Sequence, residues 1–194
     1  MTRLIGVRKK NIAIFISGRG SNLKNLIKIS RKKKSIFNIS LVVSNNLKAK
    51  GLTLAKKYKI AKKIFDYNNL VYSEIKILDE LDKYKIELIC LAGFMKILTK
   101  NFIVKFNGKI INMHPSLLPK YKGLNTHQRA IDNNEKFAGC TVHFVNSKLD
   151  SGKIIIQKKV RIFKNDNSEK LAKRVLKQEH ILYPKAVKKV LSNL

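Results

Sequence analysis

Short apolar runs alternate with amphipathic stretches along most of this chain. Asn11–Ile16 (NIAIFI), Ile39–Val43 (ISLVV), Leu88–Ala92 (LICLA) and Ile110–Met113 (IINM) are bounded by turn-forming residues and apolar at most positions. Such runs predict strands covered on both faces. Between them the period lengthens. Leu23, Leu26 and Ile27 share one side of Asn22–Ile29, Leu52, Leu54 and Ala55 one side of Ala49–Tyr58, and Ile75, Leu78 and Leu81 one side of Tyr72–Tyr84. Each is the stripe of an amphipathic helix. Strand and helix in turn predict an α/β fold, a single Rossmann-like domain whose mostly parallel sheet has helices on both faces. After residue 135 the pattern turns to strands, Cys140–Val145 and Ile154–Phe163, and closes with an amphipathic helix over Ser168–Leu191. Ser168 reads as the N-cap of that helix, with Glu169 as the acid of its first turn. Pro184, which has no N–H to give, should kink or divide it.

Neither a repeat nor a linker interrupts the pattern, so the domain is expected over 11–194, behind a basic, flexible segment over 1–10. Composition changes the picture in one respect. The chain has 194 residues, 44% of them hydrophobic, with 42 Lys and Arg against 12 Asp and Glu, a net charge of +30. That apolar content suits a packed core and not a disordered polycation. The charge invites a nucleic-acid reading, but apart from Arg31-Lys32-Lys33-Lys34 the basic residues are dispersed. They accompany no helix-turn-helix pattern, zinc knuckle or aromatic RNA-binding strand. Abundant Lys, Asn and Ile without Trp match the drift of an A- and T-rich genome, and no specific nucleic-acid partner is expected. A weak preference for anionic substrates stays open. No apolar run reaches the ~18 residues of a membrane span, so no membrane partner and a cytoplasmic location are expected. Cys90 and Cys140, each in a strand-like run, read as buried thiols in a reducing compartment.

Three segments carry polar chemistry at predicted strand ends. Ser17-Gly18-Arg19-Gly20-Ser21-Asn22 joins the first strand to the first helix. Its glycines permit a sharp turn, and free N–H groups at a helix start favour a phosphate. The spacing fits neither a Walker A loop nor a dinucleotide fingerprint, which leaves a monophosphate or a plain turn. Asn112 and His114 stand at the carboxyl end of a buried strand, where open α/β sheets collect ligands, followed by Pro115 and Pro119. Asp150 lies in a turn between two strands, where it either bonds its own backbone or faces His114. In the second case the carboxylate would favour the imidazolium and raise the pKa of His114 towards or above neutral. His127, His143 and His180 have no ligand-like spacing; a backbone partner is expected for each, and no metal site.

In this order the segments resemble the phosphoribosylglycinamide formyltransferase family. Leu91-Ala92-Gly93-Phe94-Met95-Lys96-Ile97-Leu98 is similar to the family's folate-pocket segment and Lys120-Tyr121-Lys122-Gly123-Leu124-Asn125-Thr126-His127 to its substrate-covering loop. Gln178-Glu179-His180 resembles the motif whose glutamate holds the ribose, and the likeness runs from Asn11 onward. The resemblance implies that Asn112, His114 and Asp150 are catalytic and that Gly20, Ser21 and Asn22 bind the phosphate. It implies that Glu179 meets the ribose, and that Met95, Lys96, Ile97 and Leu98 line the folate site together with Asn112, Asn146, Ser147, Lys148, Leu149 and Asp150. The reaction implied is formyl transfer from 10-formyltetrahydrofolate to the amine of 5'-phosphoribosylglycinamide in purine biosynthesis, on small molecules alone, by a monomer or homodimer.

This chain departs from the family pattern twice. Asn69, Leu70 or Val71 stands where the family often has an arginine for the folate tail, which removes that contact. Lys122 stands where a proline is common, which should loosen the covering loop. Two related activities use similar residues: formylation of methionyl-tRNA, expected to need a further RNA-binding domain, and deformylation of the folate by water, expected to follow a regulatory domain. A nonenzymatic RNA-binding protein would explain the charge and nothing else.

Overall fold

A computed structural model describes residues 8–194. One seven-stranded sheet, in the order β3-β2-β1-β4-β5-β6-β7, organises them. The first five strands in that order, β3 (Ala61–Ile64), β2 (Phe37–Ser44), β1 (Lys10–Ile16), β4 (Leu88–Leu91) and β5 (Lys109–His114), are parallel. β6 (Phe137–Phe144) and β7 (Ile154–Arg161) add to β5 as an antiparallel pair. The crossovers are α1 (Ser21–Ser30), α2 (Gly51–Lys57), α3 (Leu70–Lys83) and α4 (Lys100–Lys105); α5 (Thr126–Asp132) precedes β6 and α6 (Ser168–Leu191) closes the chain.

The central strands are apolar throughout because each face meets a different layer. Ile12, Ile14 and Ile16 of β1 pack with Leu23, Leu26 and Ile27 of α1 and with Val175, Tyr183 and Val187 of α6. Ala13 and Phe15, pointing the other way, pack with Ile77 and Leu81 of α3 and Phe102 of α4. A buried methylene contributes about 0.8 kcal/mol, so a polar substitution at Ile14 would forfeit several times that. Cys90 and Cys140 are both buried free thiols, and burial pushes the Cys140 thiol up to about 12. Among the described residues no helix is long and apolar enough to cross a membrane.

The elements differ from the sequence expectation at particular places. Most of the basic segment expected over 1–10 lies outside the described residues, and Lys10 is the first residue of β1, its Nζ 2.7 Å from Glu87 Oε2. The strand expected over Leu88–Ala92 ends at Leu91. Three short elements went unpredicted: β3, whose AKKI puts lysines on a sheet edge, and the helices α4 and α5. The N-cap of α6 is Asn167, whose side chain accepts from the Lys170 N–H, and not Ser168. Nor does Pro184 divide that helix, which runs on to Leu191.

Candidate active site

The pleat of β5 turns Asn112 and His114 to one face and Ile111 and Met113 to the other, where they join the α1–α6 core. Antiparallel pairing with β6 sets His143 opposite Asn112 and Thr141 opposite His114, so these four side chains share a face. Thr141 Oγ1 donates to Ser116 O at 2.7 Å and accepts from the Leu118 N–H, which pins the loop after β5.

Asp150 arrives by a separate route. After Phe144 the chain leaves the ladder and returns at Lys153, whose carbonyl accepts from the Phe144 N–H at 2.9 Å. A Cβ at Gly152 would lie 1.7 Å from the Phe144 carbonyl oxygen, so only glycine fits the return. Asp150 sits on this excursion at φ 46°, the left-handed region that Asp and Asn tolerate better than other side chains. Its carboxylate is a hub. Oδ2 lies 3.3 Å from His114 Nδ1 and accepts from the Gly123 N–H at 2.9 Å. Oδ1 accepts from Asn112 Nδ2 at 3.3 Å and lies 3.5 Å from His143 Nε2. Asn112 Nδ2 is also 3.3 Å from His143 Nε2, so both amide hydrogens face partners across long contacts. His143 Nδ1 is 2.8 Å from the Phe144 carbonyl, which requires a proton on that nitrogen.

Burial pushes the Asp150 carboxyl up, but His143, the Gly123 N–H and His114 outweigh it and hold the group below its usual range. Burial draws His114 below the ordinary imidazole range; the Tyr121 carbonyl, 2.9 Å from Nε2, and Asp150 oppose this without offsetting it. The imidazolium expected from the sequence is therefore disfavoured, because desolvation exceeds the pull of a carboxylate shared among four groups. Both ring nitrogens nonetheless face acceptors, so a second proton on His114 has a partner waiting.

The first βα turn lies beside this group. Ser17 N–H donates to the Gly93 carbonyl, and Ser17 Oγ accepts from the Met95 N–H at 2.7 Å, joining the turn to the loop after β4. Gly20 caps α1 at φ 73°, with no side chain bonded to the first-turn N–H groups. A Cβ there would stand 2.8 Å from Gly51 Cα, so the starts of α1 and α2 meet backbone to backbone. Ser21 is partly exposed, whereas the Asn22 side chain is buried and donates to Glu179 Oε2 at 2.7 Å. Asn22 therefore faces Glu179 of α6, and its Oδ1 is buried without a partner. Burial pushes the Glu179 carboxyl above its usual range, and the Asn22 bond only partly opposes this.

The loop after β4 passes next to Asn112, since Leu91 pairs with it in register. Met95 and Ile97 leave 64% and 66% of their surface open, and Leu149 leaves 52%. The Leu98 side chain is 4% exposed and packs under α3 and α4, so any part it takes in the folate site falls to its backbone groups. Lys96, Ser147 and Lys148 are exposed, and Asn146 Oδ1 accepts from the Lys148 N–H, a local turn. Of the three residues at the place of the absent arginine, Asn69 caps α3 by accepting from the Tyr72 N–H. The covering loop is tied in spite of Lys122: its Nζ donates to Ser151 Oγ, and Arg129 donates to its carbonyl at 2.7 Å.

Sequence reasoning missed His143 as a member of the site. Its backbone partner is present as expected, and only the β5–β6 register, which spacing alone does not encode, turns its other nitrogen to Asp150. His127 Nδ1 and His180 Nε2 are buried without the partners expected for them.

A family model described as formyl transferase matches residues 10–187. The chain belongs to the formyl transferase family. Among curated members, the phosphoribosylglycinamide formyltransferase of Haemophilus influenzae is 44% identical over 182 residues, covering 92% of this chain and 86% of that protein. The trifunctional purine biosynthetic protein adenosine-3 of Chironomus tentans is 42% identical over 98% of this chain, which spans only 14% of that protein's length. Of solved formyl transferase structures, the phosphoribosylglycinamide formyltransferase of Brucella melitensis superposes with a TM-score of 0.89 at 44% identity, covering 94% of this chain and 95% of its own.

Proposed function

We propose that this formyl transferase moves the formyl group of 10-formyltetrahydrofolate onto the amine of 5'-phosphoribosylglycinamide, a cytoplasmic step on two small molecules in purine biosynthesis. The observation that carries the reading is one juxtaposition: a hub of Asp150, His114, Asn112 and His143 beside a helix start with no side-chain cap. First-turn N–H groups at Ser21 and Asn22 suit a phosphate dianion, and Asn22 Oδ1 and Glu179 supply acceptors for ribose hydroxyls. The open side chains of Met95, Ile97 and Leu149 suit a flat heterocycle.

The folate supplies an electrophilic formyl carbon. As the neutral amine attacks it, the new C–N bond forms and the carbonyl electron pair moves to the formyl oxygen. Collapse breaks the bond to N10, which leaves with that bond's electrons and takes up the proton the amine gives up. His114 and Asn112 stabilise the oxygen, His114 by turning its Nε2–H from the Tyr121 carbonyl to it and Asn112 by exchanging one of its long contacts for it. The growing negative charge offsets the burial that keeps His114 low, so a proton taken up from solvent at Nδ1, beside Asp150, is favoured at the moment it is needed. Asp150, already ionised, carries the proton from amine to leaving nitrogen through a water.

Single-turnover transfer measured with the ribonucleotide, methionyl-tRNA and water as rival acceptors tests the reading. Transfer to the ribonucleotide, unaffected by RNA, is expected. Transfer to tRNA, or release of formate alone, would replace the reading with the corresponding alternative.

A further inference from the structure

Pro184 leaves a gap in the hydrogen bonding of α6. A helical carbonyl accepts from the N–H four residues on, and for His180 that residue is the proline, which has none. The helix nevertheless continues, and the freed carbonyl is not orphaned: Asn25 Nδ2, from α1, donates to His180 O at 2.6 Å. Asn22, one turn earlier on the same side of α1, donates to Glu179 Oε2 at 2.7 Å. Two asparagines three residues apart thus hold two adjacent residues of α6. The first turn of α1 carries the proposed phosphate cradle and the opposed turn of α6 carries Glu179, so these two ties set the spacing between the two halves of one ligand site.

We infer that Asn25 is a positioning residue for the ribonucleotide: its amide replaces the helix bond that Pro184 deletes and thereby keeps Glu179 against Asn22. The inference rests on the proposed reading, in which Glu179 meets the ribonucleotide. Without Asn25 the His180 carbonyl must open towards water, and the turn that carries Glu179 moves with it. The folate side, built on β4, β5 and the 145–153 excursion, has no part in this tie.

The test is a cycle of Asn25→Ala, Pro184→Ala and the double variant, with Glu179→Ala as reference, read as KM for each substrate and kcat. Asn25→Ala should raise the ribonucleotide KM about fivefold, the worth of one hydrogen bond to a partly buried carbonyl, and leave folate KM and kcat within about twofold. In the Pro184→Ala background the same substitution should change the ribonucleotide KM less than about twofold, because the restored N–H at position 184 takes the His180 carbonyl itself. Asn25→Leu, of similar size without a donor, repeats the measurement if the smaller side chain unsettles folding. A fivefold effect that persists in the Pro184→Ala background, or an equal effect on folate KM, overturns the inference. If Glu179→Ala raises the ribonucleotide KM and Asn25→Ala does not, the inference alone fails. If Glu179→Ala leaves it unchanged, the reading of Glu179 fails and the inference with it.

Discussion

Replacing Asp150 by Asn should slow the chemistry severely while leaving the fold intact. The left-handed φ of 46° suits asparagine as well as aspartate, and an asparagine oxygen can still accept from the Gly123 N–H. Its NH2 would then take the place of Oδ1, where His143 Nε2 can accept from it, at the loss of one long contact from Asn112. The lost contact is long and weak, so the fold is little affected. The transition state is another matter. Two unit charges 3.3 Å apart, both nearly sealed from solvent, attract by about 5 kcal/mol at an effective dielectric constant of about 20. Gly123 and Asn112 already neutralise part of the carboxylate, so roughly 2.7–4 kcal/mol is the expected loss, or about 10²–10³ in kcat, with KM for both substrates nearly unchanged. The His114 titration, followed by NMR, should move further below its ordinary range, since Asp150 is one of the two groups that raise it. Thermal unfolding should stay within a degree or two of wild type. A kcat within about threefold of wild type, with the His114 titration unmoved, would reduce Asp150 to a turn residue and refute the mechanism.

Other perturbations have outcomes of known sign. Glu179→Gln removes a carboxyl whose pKa is raised by burial, so its benefit to stability should be absent at pH 4 and grow as pH rises to 8; a thermal-shift difference independent of pH would contradict this. His114, His127 and His180 are all lowered by burial, so the unfolded chain binds more protons just below its ordinary imidazole pKa of about 6.5. In the Glu179→Gln background the unfolding temperature should therefore drop between pH 7.5 and 5.5, and a rise would show the histidines to be charged in the fold. Gly20→Ala forces a Cβ to within 2.8 Å of Gly51 Cα at a left-handed φ and should cost about 2 kcal/mol or more, with a higher ribonucleotide KM. Gly18→Ala, with no atom within 4 Å of its Cβ, should unfold at the wild-type temperature; equal losses at both glycines would remove the close approach as the cause.

The strands buried on both faces were legible because they have no polar alternate. Ile14, Phe15, Leu41 and Ile89 are apolar whichever way they point. β3 was hidden by the opposite circumstance: an edge strand meets solvent, so AKKI carries lysines and reads as a loop. Resemblance supplied α5 only as part of a covering loop, because seven residues give a helical period too few turns to show. β5, expected over Ile110–Met113 and found over Lys109–His114, could be placed from pattern to within a residue at each end, and with it Asn112 and His114. Asp150 could not, since its approach to His114 depends on an excursion whose return passes through a glycine seated on the Phe144 carbonyl. The protonation of His114 was misjudged for a related reason: a sequence shows the carboxylate that attracts a proton but not the burial that opposes it.

An open sheet has two borders, each a row of unpaired N–H and C=O groups able to recruit another strand. Here β3 carries Lys62 and Lys63 on one border and β7 carries Lys158 and Lys159 on the other, with Lys62, Lys158 and Lys159 exposed. A second molecule approaching either border in the strand-adding direction brings ammonium groups against ammonium groups. The border lysines thus oppose stacking of this chain border to border in a concentrated solution, and polyanions or high salt should weaken that protection.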